Sequence, residues 1–159
     1  MSIFENRERP HELRLDLPAA HSAERLARAV MQQFVQREGV PLSEVDSLLF
    51  VASELLSNAV DHGGGGSAME ESEAPPSVRV QFLLRVRPDG WEMRVSDQGG
   101  GDPERVQALI DDQDLPGPED ERGRGFFLLK SMLEGLAVER SEDGLGLAFI
   151  ARRRYESPA

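Results

Sequence analysis

Glu54 and Asn58 stand four residues apart in the run Ala52-Ser-Glu-Leu-Leu-Ser-Asn-Ala-Val-Asp-His62. On a helix they share one face, while Leu55, Leu56 and Ala59 take the opposite one. A carboxylate one turn from a carboxamide suits metal-assisted phosphoryl chemistry. Mg²⁺ takes hard oxygen ligands and keeps several waters, so one amide oxygen beside phosphate oxygens is enough. The carboxylate can then polarise a hydroxyl or water held in line with a γ-phosphate. By themselves the two residues are better read as an ordinary solvated face of an amphipathic helix. His62 reads as a helix-end residue satisfying carbonyls.

Two glycine-rich turns follow. Asp97-Gln-Gly99-Gly-Gly101 comes directly after the strand Trp91-Glu-Met-Arg-Val95. Its glycines let backbone approach a flat ligand closely, and an aspartate at a strand end can accept from an exocyclic amine such as that of adenine. The same residues also make a plain turn. Gly123-Arg-Gly125 immediately precedes the apolar run Phe126-Phe-Leu-Leu129. Free N–H groups at a helix start beside glycines make an anion site. Arg122 and Arg124 add charge there or merely offset Glu119, Asp120 and Glu121. The Gly-x-x-x-x-Gly-Lys-[Ser/Thr] pattern of a P-loop is absent.

These residues need elements to position them. Leu13–Leu17 alternates as a first strand ended by Pro18. Ser22 is placed to cap a helix with Leu26, Val30 and Phe34 inward, stopping at Gly39. Pro41 and Ser43, with Asp46, open a second helix whose apolar side is Leu48, Leu49, Ala52, Leu55, Leu56 and Ala59. Residues 63–76 hold almost nothing to bury and read as a flexible loop. Val78–Val86 and Trp91–Val95 form a hairpin around Pro88-Asp-Gly90. Asp102-Pro103 starts a short helix bearing Val106, Leu109 and Ile110. Asp111–Arg122 reads as a second flexible loop before a helix over Phe126–Leu133. Leu136–Arg140 and Leu145–Ile150 flank Ser141-Glu-Asp-Gly144 as another hairpin. The pattern predicts an α+β fold: one domain over 1–159, a two-layer α/β sandwich with a mixed, mostly antiparallel sheet.

Bulk properties narrow the partners. The chain has 159 residues, no cysteine and a net charge of −11. Such acidity opposes direct nucleic-acid binding and favours a protein partner. Disulfides and cysteine-based metal sites are excluded. Arg152–Arg154 is a basic run at the tail and reads as a solvated strand end. The first residues carry no apolar targeting stretch and no segment is long enough to span a bilayer, so a cytoplasmic protein off the membrane is expected.

In order and context the motifs resemble the GHKL superfamily of ATPases, which share the Bergerat fold. Glu54-Leu-Leu-Ser-Asn58-Ala-Val-Asp-His62-Gly63 looks like the N-box, Asp97-Gln-Gly99-Gly-Gly101 like the G1 box, and Gly123-Arg-Gly125-Phe-Phe-Leu-Leu129 like the G2 box. Length and opening strand resemble the anti-sigma factor serine/threonine protein kinases, with likeness running from the first strand to about Ile150. The resemblance implies ATP and Mg²⁺ as cofactors. It makes Glu54 the catalytic carboxylate and Asn58 the Mg²⁺ ligand. Asp97 becomes the adenine reader, with Gly99 and Gly101 shaping the pocket. Gly123, Arg124, Gly125 and Phe126 fall at the phosphates, and 102–122 become the ATP lid.

It further implies a kinase that phosphorylates a STAS-type anti-anti-sigma antagonist and, as a homodimer, sequesters a sigma factor by partner switching. Arg28 is the match for a partner-contacting arginine, and equally a solvated helix arginine. Two departures stand out. The last hairpin reads Gly144-Leu-Gly-Leu147 where the family has a Gly-Thr pair, and 63–76 is longer than expected. The hairpin keeps a second reading open, a nucleotide-dependent binding regulator with little or no transfer. A detached histidine-kinase catalytic domain, or a heat-shock or topoisomerase relative, would need parts the sequence does not display. The strand Leu13–Leu17 is a candidate edge for pairing across a two-fold.

Overall fold

A computed structural model describes residues 5–9, 11–63, 78–112 and 121–155. The elements in chain order are β1 (Glu5–Arg9), β2 (Glu12–Pro18), α1 (His21–Arg37), α2 (Leu42–Gly63), β3 (Arg79–Arg87), β4 (Gly90–Ser96), α3 (Pro103–Asp111), α4 (Glu121–Met132), β5 (Gly135–Arg140) and β6 (Leu147–Arg154). The sheet runs β1-β2-β3-β4-β6-β5, and every described ladder is antiparallel. The α+β sandwich expected from the pattern is therefore present, with its sheet fully rather than mostly antiparallel.

Period-two burial makes the sheet one-sided. Leu13, Leu15 and Leu17 of β2, Val80, Phe82, Leu84 and Val86 of β3, and Trp91, Met93 and Val95 of β4 are all buried. Residues between them, such as Gln81 and Arg85, are exposed, so the helices cover one face. Fully burying one such leucine contributes about 1.5–3 kcal/mol. The uncovered face is held in charged rows: Arg79 pairs with Asp16 at 2.9 Å, Arg85 with Glu12 at 2.8 Å and Arg94 with Glu139 at 2.9 Å. A concavity of about 450 Å³ on this face is lined by Arg14, Gln81, Leu83, Arg85 and Arg94, among others, and lies on the other side of the sheet from the helix motif at Glu54.

Several expected details shift. β1 has no counterpart in the sequence pattern, and it covers β2, so Leu13–Leu17 is an interior strand and cannot serve as a free edge. In α1 the N-cap is Ala20 with no side-chain hydrogen bond, and Ser22 lies inside the first turn. The buried face is Ala23, Ala27, Met31, Phe34 and Val35, with Leu26 48% exposed. Small Ala23 and Ala27 share this face with the larger Met31, Phe34 and Val35, and Val30 packs partly against the same core. The apolar side expected for α2 holds throughout, from Leu48 at 0% to Ala59 at 1% exposed.

The basic tail run is also split by strand alternation. Arg152 and Arg154 are largely solvated, whereas Arg153 turns to the helix layer. There Nε and Nη2 donate to the two oxygens of buried Glu44 at 2.8 and 3.2 Å, and Nη1 donates to the Met132 carbonyl. This bidentate pair ties the start of α2 to the end of β6. No described helix is long and apolar enough to cross a membrane.

Candidate functional site

The expected N-box lies on α2, whose unbroken run of helix-forming and apolar residues carries it past Asn58 to Gly63. Glu54 and Asn58 are both half-buried on the side away from the core. A Cβ placed on Gly125 would lie 3.7 Å from Glu54 Oε2. The absent side chain of Gly125 therefore leaves the carboxylate open toward the first turns of α4. Asn58 Nδ2 is buried with no hydrogen-bond partner among the described residues. A buried amide left without a partner is costly. Such a carboxamide suits a ligand that takes both its ends, and its oxygen is a hard donor of the kind Mg²⁺ accepts.

α1 lines the other flank. His21 Nε2 lies 3.4 Å from Asp61 Oδ1, and Arg28 Nη1 lies 3.4 Å from Ser53 Oγ. Between them Glu24 is pushed above the usual carboxylate range, chiefly by burial and also by the charges of Asp61 and Glu54. Arg28 itself is exposed on the outer side of this seam.

The aspartate turn is built by the last hairpin as much as by its own strand. Asp97 is 4% exposed. Its Oδ1 accepts from the backbone N–H groups of Gly99 at 3.1 Å and Leu147 at 3.2 Å. The Asp97 N–H donates to the Leu147 carbonyl at 2.9 Å, and the Gly100 N–H to the Leu145 carbonyl at 2.8 Å. Arg140 Nη1 donates to the Gly101 carbonyl at 3.1 Å. Gly101 has φ 94°, a left-handed conformation favouring glycine, and a Cβ there would meet Leu147 Cδ1 at 3.2 Å. Gly146 is more constrained still, since a Cβ would come within 2.3 Å of the Asp97 carbonyl and Oδ1. In the sequence this hairpin stands out only as a departure at Leu147. The spacing Ser141-x-Asp143-x-x-Gly146 carries its role, but nothing local ties it to a turn about 45 residues away.

The G2 segment differs from expectation in its start. The described part of α4 starts at Glu121, so Gly123-Arg-Gly125 lies within the helix and does not precede it. Phe126 is 3% exposed and stacks on Phe149 with centroids 5.8 Å apart. Its ring anchors α4 on the sheet and leaves only its backbone toward the site. Of the segment expected as lid, the first part is α3, capped by Asp102 Oδ1 accepting from the Glu104 N–H at 3.1 Å. α3 buries Val106 and Ile110, and Gln107 Oε1 accepts from the Val138 N–H at 2.9 Å on the edge strand β5. The remainder, 113–120, and all of the expected loop 63–76 except Gly63 lie outside the described residues.

A helix with a carboxylate and a carboxamide, laid over an antiparallel sheet whose strand ends in a buried aspartate turn, is the arrangement of a GHKL nucleotide-binding domain. The chain belongs to the histidine kinase-like ATPase domain family, whose model matches residues 17–152. It is 25% identical over 146 residues to an anti-sigma F factor of Clostridium acetobutylicum, covering 91% of this chain and 94% of that one. It is 26% identical over 151 residues to the serine-protein kinase RsbW of Bacillus pumilus, covering 91% and 89%. Among solved structures, the SiaB–SiaC complex from Pseudomonas aeruginosa holds a chain of the same fold, with a TM-score of 0.62 at 14% identity over 90% and 89% of the two chains.

Proposed function

We propose that this chain is an ATP-dependent serine-protein kinase that also binds a sigma factor, transferring phosphate to a STAS-type antagonist in a partner-switching circuit. The single observation that carries the reading is the meeting of Glu54 with the glycine-lined start of α4, beside the unpartnered amide of Asn58. Names borne by full-length relatives, anti-sigma F factor and serine-protein kinase, support the partner class.

In this reading Asp97 accepts from the adenine amine while its Oδ1 stays on two backbone amides. Gly99 and Gly101 let the base lie against backbone. Gly123, Arg124 and Gly125 approach the phosphates, with Phe126 fixing the helix from below. Asn58 supplies an oxygen to Mg²⁺, which when bound neutralises charge on the phosphate oxygens. Glu54 accepts the proton of the attacking serine hydroxyl. The serine oxygen forms its bond to the γ-phosphorus as the bond to the ADP oxygen breaks, and ADP leaves with that electron pair. Arg28, exposed on α1, faces the partner. The lid is assigned to 102–122, and the molecule acts in the cytoplasm as a single domain that dimerises.

The alternative of a nucleotide-dependent regulator with little transfer rests on Leu147 replacing a threonine. Against it, Leu147 still supports the aspartate through its backbone N–H, a contact any residue at that position supplies. The deciding experiment incubates the purified chain with labelled ATP, Mg²⁺ and a STAS-domain protein. Label on a serine of that protein is the expected result. ATP binding with no transfer to any co-purifying partner would favour the regulator.

A further inference from the structure

Behind the aspartate turn lies a closed set of polar contacts that the proposed chemistry does not use. Ser141 is 5% exposed. Its Oγ donates to Asp143 Oδ1 at 2.8 Å and accepts from the Gly146 N–H at 2.9 Å. Asp143 Oδ1 also accepts from the Leu145 N–H at 2.9 Å, and its Oδ2 accepts from Gln98 Nε2 at 3.2 Å. Gln98 Oε1 accepts from the Arg79 N–H at 2.8 Å. A carboxylate on one end of the Gln98 amide and a backbone N–H on the other admit only one orientation of that amide. The Ser141 N–H closes the ring onto the Gly146 carbonyl at 2.9 Å.

Two paths through this set reach Asp97, one through Gln98 and one through Gly146 and Leu147. Gln98 follows it in the chain, the Asp97 carbonyl and Oδ1 occupy the space a Cβ on Gly146 would need, and Leu147 next to Gly146 donates to Oδ1. We infer that Ser141, Asp143 and Gln98 are positioning residues that set the plane of the Asp97 carboxylate and thereby the preference for adenine over guanine. The inference rests on the nucleotide reading above. Its physical basis is the cost of an unmatched buried carboxylate: base discrimination requires that Asp97 cannot rotate to suit a different edge. Asp143 is held below the usual carboxylate range, first by the Leu145 N–H and then by the Ser141 hydroxyl. It is therefore a full acceptor at neutral pH. A solvent-facing turn built only to reverse the chain would need none of the links to Gln98.

The test compares wild type with Ser141→Ala, Asp143→Asn and the conservative Ser141→Thr. ATP and GTP affinities are read by calorimetry with Mg²⁺, the Asp97 carboxyl titration by ¹³C NMR, and folding by thermal melts. Ser141→Ala and Asp143→Asn are expected to lower the ATP-to-GTP affinity ratio about five- to tenfold, the effect of one lost hydrogen bond. The loss appears in KM for ATP with kcat unchanged, the Asp97 titration shifts, and Ser141→Thr restores both. An unchanged ratio and an unchanged Asp97 titration in folded Ser141→Ala overturn the inference. If wild type binds neither nucleotide, the kinase reading falls, and the Asp97 titration alone then decides whether the network positions that carboxylate. Where Ser141→Ala fails to fold, Gln98→Leu takes its place: a lowered ratio with a shifted Asp97 titration supports the inference, and no change in either overturns it.

Discussion

The two ends of the proposed nucleotide site are built differently. At the aspartate end, Asp97, Gly100 and Gly101 are each tied to the β5–β6 hairpin by a hydrogen bond of 2.8–3.2 Å. At the helix end, Asn58 carries a buried amide with no partner among the described residues, and a Cβ on Gly125 would lie 3.7 Å from Glu54 Oε2. A site whose base-reading group is locked before binding loses little freedom there when the base arrives. Rigid recognition beside a spare reactive end follows directly from the sheet owning one half and two helix ends the other.

Breaking the reactive end should give the largest effect. Glu54→Ala is expected to lower phosphoryl transfer about 10²- to 10⁴-fold with ATP affinity nearly unchanged; undiminished transfer in a labelled-ATP assay removes Glu54 as the base. At the rigid end, Asp97→Asn should cost about 10- to 100-fold in ATP-over-GTP preference, read by competition binding. If the preference survives, adenine is read elsewhere. Asn58→Ala should weaken nucleotide binding about tenfold or more with Mg²⁺ present and far less in EDTA, a contrast that calorimetry resolves.

A matched pair of glycine substitutions sharpens the comparison further. Gly146→Ala places a Cβ 2.3 Å from Asp97 oxygens and should destabilise the fold by about 1–3 kcal/mol, as overpacking does. Gly125→Ala places one at an ordinary 3.7 Å from Glu54 Oε2 within a helix, and should stabilise by up to about 1 kcal/mol while impairing transfer. Equal melting shifts in the two variants would erase the distinction between the ends.

The smallest effect is on pH dependence, where the two ends differ in sign. Asp143 has a folded pKa below its ordinary 3.8, so its contribution is present above that value and is lost as pH falls through the folded pKa. Glu24 has a folded pKa above its ordinary 4.5, so its protonated form is favoured by folding, and that support is lost as pH rises through the folded pKa. Asp143→Asn should therefore lower the melting temperature at pH 7 with the difference closing in strong acid. Glu24→Gln should raise it at pH 7 with the gain vanishing below about pH 4. Parallel melting curves across pH for either variant would contradict the assigned shift.

Local pattern reaches far in this chain. The apolar stripe of α2, the hairpin at Pro88-Asp89 and the Asp102-Pro103 helix start are legible because periodicity, turn chemistry and capping act within a few residues. The glycine-flanked motifs are legible by type and order, which is enough for the family. Decisions resting on distant partners are not. That β1 covers β2 depends on which strand ends lie adjacent once the sheet forms. That Ala23 and Ala27 rather than Leu26 face inward on α1 depends on how that helix packs in the helix layer. Arg153 reads as a solvated tail residue until Glu44, 109 positions away, arrives beside it. The clamp on Asp97 is likewise made by a hairpin 50 residues on. Sequence alone determined which groups are available for chemistry, since that is residue type at helix or turn spacing. Tertiary structure decided which of them are held still, because only packing brings a second backbone within hydrogen-bond reach.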